Sequence, residues 1–251
     1  MNATYIRIDL MRQLRDVGNI TFVVLMPVVM YLIFGASQAG GADQAGHANV
    51  KFYVMASMAA YGAALAATSI AGGAGVEQMQ GWGRQIGLTP VTNRGVVGMK
   101  VVVALIITAV AILAIYFTGY VTGARADSVW VWLATFALTL AGSALYALFG
   151  YVVALRFKSE SALGVATGLL VLMSFVGNVF MPLSGTMLEV GRFTPLYGYV
   201  GLVRWPQLEG QLVAAENQSD SMWLLAGNFA VWALIFGVLA VSAVRKGRDR
   251  Q

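Results

Sequence analysis

Residues 52–76 read FYVMASMAAYGAALAATSIAGGAGV, a run of 25 residues without an Asp, Glu, Lys, Arg or His. A helix needs roughly 20 apolar residues to cross the ~30 Å hydrocarbon core of a bilayer, so this run is long enough to span. Five more charge-free runs occupy 17–42, 101–124, 128–155, 161–188 and 221–244. The chain of 251 residues is 59% apolar and 11% charged, whereas an average soluble domain carries about 25% charged residues. The mean hydropathy is +0.73. A soluble enzyme, a nucleic-acid binder and a disordered tail are excluded. The pattern predicts an all-α polytopic membrane protein with six transmembrane helices, over 19–36, 52–72, 98–120, 129–155, 161–184 and 222–244.

The few charges orient those spans. With the N-terminus inside, 12 Lys and Arg residues fall in cytoplasmic segments and 4 (Lys51, Arg125, Arg192 and Arg204) in outer ones. That asymmetry follows the positive-inside rule and predicts cytoplasmic N- and C-termini. The net charge of +5 is therefore read as a topology signal, with no nucleic-acid partner. The acids and arginines of residues 1–16 do not make a cleavable leader, and the first apolar run is expected to remain as a span.

Residues 1–17 have helical order of a different kind. Ile6, Leu10, Leu14 and Val17 share one face while Asp9, Arg12 and Asp16 occupy the other. An interfacial helix is expected, apolar face toward lipid, with Asp9/Arg12 and Arg12/Asp16 at pair-forming spacings. In the second span Ala59, Ala63, Ala67, Ala71 and Gly75 form one small-residue ridge and Ala56, Ala60, Ala64, Thr68 and Gly72 the next. Such ridges let helices approach closely, for packing within the bundle, for a pocket wall or for a subunit contact. Gly164 and Gly168 stand at GxxxG spacing in the fifth span, and Asn178 near its outer half reads as a helix–helix hydrogen-bonding residue. The single histidine, His47, lies in a Gly/Ala-rich loop and reads as a solvated side chain.

Two inter-span segments are not plain loops. Between spans 2 and 3, residues 73–98 read GGAGVEQMQGWGRQIGLTPVTNRGVV, where Met79, Trp82 and Ile86 form an apolar edge flanked by Glu77, Gln78 and Arg84. Leu88-Thr89-Pro90 stops that pattern. The outer segment 185–221 is punctuated by Pro195 and Pro206 and rich in aromatics, so it is expected to form one or two short helices at the outer interface.

Catalytic chemistry is missing. No Gly-Lys pair exists, so a GxxxxGK[ST] phosphate loop is impossible and the chain is not expected to hydrolyse ATP or to act as an enzyme. Cysteine is absent and histidine occurs once, leaving neither a metal-ligand cluster nor a Ser-His-Asp set. No catalytic residue and no metal site is assigned. The span cores carry no ionisable side chain, which weakens proton-coupled transport and leaves sodium coupling through neutral oxygens open.

The interfacial helix, the six spans, the stretch Glu77-Gln78-Met79-Gln80-Gly81-Trp82-Gly83-Arg84 running on to Leu88-Thr89-Pro90-Val91, and the proline-punctuated outer segment together resemble the permease subunits of ABC-2 type (type V) exporters. The resemblance covers essentially the whole chain as a single transmembrane domain, 1–251, with a coupling segment at 73–92 and an outer re-entrant cap at 185–221. It implies a cytoplasmic coupling helix in which Glu77, Gln78, Met79, Trp82, Arg84, Thr89 and Pro90 meet a separate ABC nucleotide-binding subunit. That subunit, in two copies, would hold ATP and Mg; this chain would bind no cofactor. A second permease subunit, the same or different, would complete a path lined by spans 2 and 5, with Phe175, Asn178 and Met181 as candidate substrate contacts. The apolar lining suits a hydrophobic drug, antibiotic or lipid-like substrate, as in multidrug efflux. The expected location is a bacterial plasma (inner) membrane, where lipid surrounds the spans. A secondary transporter or channel, and a non-transporting scaffold, are the alternative readings.

Overall fold

The computed structural model describes residues 3–77, 93–157, 161–215 and 218–248. Helices α1 (Ala3–Arg15) and α2 (Val17–Tyr31) meet at Asp16, whose carboxylate accepts from the Asn19 amide at 3.1 Å and caps α2. Helix α2 runs through Pro27 and ends in a π-helical turn, Leu32–Ala36. A two-stranded hairpin, β1 (Gln44–Ala45) and β2 (Ala48–Asn49), leads into α3 (Val50–Glu77). Then follow α4 (Asn93–Thr122), α5 (Val129–Gly142), α6 (Ala144–Phe157), α7 (Ser161–Val176), α8 (Gly185–Gly191), α9 (Pro195–Leu208) and α10 (Met222–Arg248).

The architecture is all-α and polytopic. Five helical stretches are long and apolar enough to cross a membrane: Val17–Ala36, Val50–Glu77, Gly98–Thr122, Val129–Phe157 and Met222–Ser242. The expected span 161–184 is shorter than that. Helix α7 has 16 residues, which cover ~24 Å at 1.5 Å each. It stops because Asn178 takes a left-handed conformation (φ 60), which a helix cannot continue through. The Asn178 carboxamide accepts from the Leu183 amide at 2.9 Å, so it organises a local turn rather than a helix–helix contact. The span at 129–157 is broken at Ser143 into α5 and α6, and α9 packs beside the break. There the Tyr199 hydroxyl donates to the Thr139 carbonyl at 2.7 Å and the Tyr146 hydroxyl to the Pro195 carbonyl at 3.0 Å.

Helix α3 is the axis of the bundle. In its membrane-length window 89% of residues are buried, against 17% in α2 and in α10. Helices α2, α4, α6, α7 and α9 all pack on it. Both small-residue ridges are consumed by this enclosure: Ala56, Ala59, Ala60, Ala63, Ala64 and Thr68 are fully buried. At the α3–α6 crossing the backbones nearly touch. A Cβ on Gly150 would stand 2.2 Å from the Thr68 carbonyl oxygen, and the Thr68 hydroxyl donates to the Tyr146 carbonyl at 3.1 Å. The ridges therefore serve packing within the chain from Ala56 to Thr68, and the last turns of α3 are open.

The apolar surface lies outside. Phe22, Leu25 and Ile33 of α2, Leu172 and Phe175 of α7, and Trp223, Leu234 and Val238 of α10 are exposed. A belt of this kind is far larger than a soluble monomer tolerates, and it fits lipid or a second membrane subunit. A Cβ at Gly164 or Gly168 would meet nothing within 4 Å, so that GxxxG pair is unused inside this chain.

The end opposite α1 is stitched by amides. Asn49 accepts from the Phe52 and Arg125 amides at 3.0 Å each and donates to the Gly123 carbonyl at 2.9 Å. Gln207 donates to the Ala45 carbonyl at 2.9 Å. His47 is half-exposed there, 3.3 Å from a Glu209 oxygen and 3.7 Å from an Asp127 oxygen, so it is flanked by carboxylates rather than simply solvated.

Two glycine substitutions separate these surfaces. Gly150→Ala should cost about 1–3 kcal/mol by forcing α3 and α6 apart. Gly164→Ala should be neutral or stabilising by up to about 1 kcal/mol, as expected for an open helix position. Thermal unfolding of the single chain in detergent measures both.

Candidate functional site

Four charged side chains meet where α1 crosses the bundle. Helix α1 presents Asp9 and Arg12, one turn apart; α3 ends on Glu77; Lys100 lies in the second turn of α4. Arg12 Nη2 donates to Asp9 Oδ1 at 2.9 Å and also to Glu77 Oε1. Lys100 Nζ donates to Asp9 Oδ1 at 2.9 Å and to Glu77 Oε2 at 2.8 Å. The result is a closed ring of alternating sign, Asp9–Arg12–Glu77–Lys100, in which each charge touches two of the opposite kind.

Its depth is uneven. The Asp9 and Lys100 side chains are 6% and 15% exposed, whereas Arg12 is 46% exposed. Exposed pairs contribute little, whereas taking a partner from the buried Asp9–Lys100 edge leaves a charge poorly compensated and is the costlier loss. Burial opposes the Arg12 charge, but the Glu77 and Asp9 carboxylates outweigh it and hold the guanidinium pKa above its usual value. Beneath the ring, Ile6 and Leu10 of α1 pack against Ile70 of α3 and Val103, Ala104 and Ile107 of α4.

This arrangement corrects the expected disposition of α1. Asp9 was assigned to the solvent face and is buried; Arg12 pairs with Glu77 rather than with Asp16; Leu14 and Val17 are exposed. The face toward the bundle is the one bearing Ile6, Leu10 and Asp9. A charged residue on an amphipathic helix is buried when partners of opposite sign lie on the elements it crosses, and here those partners are distant in sequence.

The ring also has a definite place in the topology. Glu77 is the last residue of α3, and Lys100 follows the start of α4 at Asn93. Both ends of the 78–92 segment are thus tied to one N-terminal helix. Of the expected coupling residues, Glu77 belongs to this ring; Gln78, Met79, Trp82, Arg84, Thr89 and Pro90 lie outside the described residues.

Beside the ring a cleft of about 460 Å³ opens between the end of α1, the start of α2, the last turns of α3 and the start of α7. Arg12, Asp16 and Glu77 give it charge, Phe22 and Leu163 an apolar wall. Its floor is set by Ser69, which donates to the Asn19 carboxamide oxygen at 2.6 Å. The cleft is open on one side and its lining is mixed, polar along α1 and apolar at Phe22 and Leu163.

The candidate path residues sit elsewhere, near the far end of α7. Phe175 is half-exposed and meets the Phe180 ring edge-on at 4.9 Å; Phe180 in turn meets Tyr61 of α3 at 5.0 Å. Met181 is exposed. Asn178 is committed to its turn. Phe175 and Met181 therefore face away from the enclosed helix, toward whatever surrounds the chain. No group of three or more His, Asp or Glu side chains placed to hold a metal occurs among the described residues.

No family model matches the chain. Over 137 residues it is 26% identical to a Bacillus subtilis (strain 168) protein described as "Putative transport permease YvfS". The match takes in 53% of this chain and 56% of that protein, so the chain spans little more than half the length of this relative. The chain is a multi-pass membrane protein similar to a transport permease.

Removing one member of the ring takes one of two counter-charges from each of its neighbours and leaves an unbalanced charge partly buried. Glu77→Gln should lower stability by about 1–3 kcal/mol, while Arg7→Gln, on an exposed position of α1, should change it by less than about 0.5 kcal/mol. Glu77→Gln combined with Lys100→Met should be less damaging than the sum of the two. A double-mutant cycle read by thermal unfolding tests this.

Proposed function

We propose that this chain is the permease subunit of an ABC-2 type exporter. It sits in a bacterial plasma membrane with both termini in the cytoplasm and pairs with a second permease subunit. Two copies of a cytoplasmic ABC nucleotide-binding subunit supply the energy, and ATP and Mg reside there. The substrate is a hydrophobic or amphipathic molecule, a drug, an antibiotic or a lipid-like compound, moved out of the cytoplasm or inner leaflet.

The observation that carries this reading is the charge ring. An ATP-driven permease must convert movement at its cytoplasmic face into movement of its spans. Segment 78–92 would be the face that meets the ATPase. Glu77 and Lys100 stand at its two ends, and both are tied to α1, so displacing the segment drags α1, α3 and α4 together. In this reading Glu77 acts as the joint behind the contact surface, while Met79, Trp82 and Arg84 make the contact. ATP binding shifts the conformational balance only through interactions that differ between the two states, and a ring that is half-exposed at Arg12 and buried at Asp9 can break at its open edge.

The similarity to a transport permease and the exposed Phe175 and Met181 support the rest. An apolar edge facing outward from α7 suits a path shared with a second subunit, and the cleft beside the ring offers an amphipathic substrate an entrance from the inner leaflet.

Co-expression with an ABC ATPase, co-purification in mild detergent and assay of ATP hydrolysis test this proposal. A stable complex is expected. Trp82→Ala should weaken the association about tenfold or more, as for a buried aromatic at an interface. Lys100→Met should leave the complex assembled but abolish stimulation of hydrolysis by substrate. A lone chain that moves solute in liposomes without an ATPase contradicts the proposal.

A further inference from the structure

Arg204 is an internal cation that pairs with no carboxylate among the described residues. It sits in α9, 4% exposed, between α9 and α3. Its Nε and Nη2 donate to the Ser57 hydroxyl at 3.0 and 2.6 Å, and Nη2 donates to the Val179 carbonyl at 3.3 Å. The guanidinium lies over the Tyr53 ring, 4.1 Å from its centre. Every one of these partners is neutral. Among the described residues no carboxylate pairs with Arg204.

The carboxylate that borders the same cavity as Arg204 is already engaged. This is Asp220, 4% exposed. One of its oxygens accepts from Arg192 Nη2 at 2.7 Å and the other from the Tyr197 hydroxyl. Asp220 and Arg192 cancel, and the Arg204 charge is left over.

A cavity of about 30 Å³ adjoins the guanidinium, bordered by Tyr53, Asn178, Tyr197, Gly210, Gln211 and Asp220. One water needs roughly 10–15 Å³, so the cavity holds a halide or a single charged oxygen, not a drug-sized molecule. An interior cation is unfavourable unless a charge meets it, and an apolar residue of the same shape is usually the more stable choice. Where ionisable groups persist at such depth they mark a ligand or ion site.

We propose that Arg204 is the anchor of an anion site, taking one negatively charged oxygen or halide through the guanidinium, with the Tyr53 ring and Ser57 holding that guanidinium in place. The anion comes either from solution or from the headgroup of an anionic lipid. Asn178 is the one path candidate that borders the cavity. The site does not depend on the exporter reading, since it requires neither an ATPase nor transport.

The test uses the full chain in nanodiscs, melted in bromide and in methanesulfonate at equal ionic strength, with phosphatidylcholine alone or mixed with phosphatidylglycerol. A saturable rise in melting temperature with bromide in phosphatidylcholine identifies a dissolved anion. A rise on adding phosphatidylglycerol in methanesulfonate identifies a lipid headgroup. Arg204→Met should abolish either dependence, and in methanesulfonate with phosphatidylcholine it should melt no lower than the native chain. Arg204→Lys should keep the dependence with affinity about tenfold weaker, because a point charge replaces the planar fork. A native chain indifferent to both anion and lipid overturns the site, and so does an Arg204→Met chain that retains the dependence. If Arg204→Met does not assemble, bromide or lipid phosphate density against the guanidinium of the native chain supports the site, and its absence there for both overturns it.

Discussion

The constraint on which this fold depends is the enclosure of α3. An enclosed helix lets its neighbours come close where its side chains are small, as along the alanines from Ala56 to Ala67, while Phe52, Met55, Met58, Tyr61 and Leu65 fill the wider gaps. Close approach then replaces the hydrophobic effect, which drives nothing between helices already in lipid. The Gly150–Thr68 contact shows how far this goes: there is no room for a methyl group. An enclosed rod of this kind cannot slide or tilt alone. Its motion must be shared with α4 and α6, and its end at Glu77 moves with the rod.

The ring of Asp9, Arg12, Glu77 and Lys100 is placed at that end. Its two cations and two carboxylates leave no net charge to be buried, although both cations meet Asp9 through Oδ1 and its Oδ2 is buried without a hydrogen-bond partner among the described residues. The Asp9–Lys100 edge is the deep one, and the Arg12–Glu77 edge faces outward. Breaking the outer edge exposes charges to water at little cost; breaking the inner edge strands them. Under the proposed function, the ring would give way first at its outer edge.

Much of the fold was legible in the sequence because spans need only length and the absence of charge. The runs at 17–42, 52–76, 101–124, 128–155 and 221–244 coincide, to within three residues at the ends that overrun them, with the five long apolar helical stretches of the structure. The end of α7 was missed although Gly177-Asn178 is a turn signal; the uniform apolarity around it hid the break. The interruption at Gly142-Ser143 was missed for the same reason. The charge ring was not legible, because Arg12 and Glu77 are 65 residues apart and Asp9 and Lys100 are 91 apart. Local spacing correctly paired Asp9 with Arg12 and wrongly offered Asp16, which caps α2 instead. Arg204 read as one of four outer charges; only the surrounding Tyr197, Tyr199, Val200 and Val203 hinted that its helix is buried.

The most direct measurement is the distance between spin labels placed at Met11 on α1 and Val101 on α4, both exposed, in the native chain and in Lys100→Met. A single narrow distribution is expected in the native chain, broadening when Lys100 is lost, because Asp9 and Glu77 then no longer share a cation between α1 and α4. A distribution equally narrow in both proteins would contradict the ring as the joint and leave the contacts of Ile6 and Leu10 as what holds α1 to the bundle.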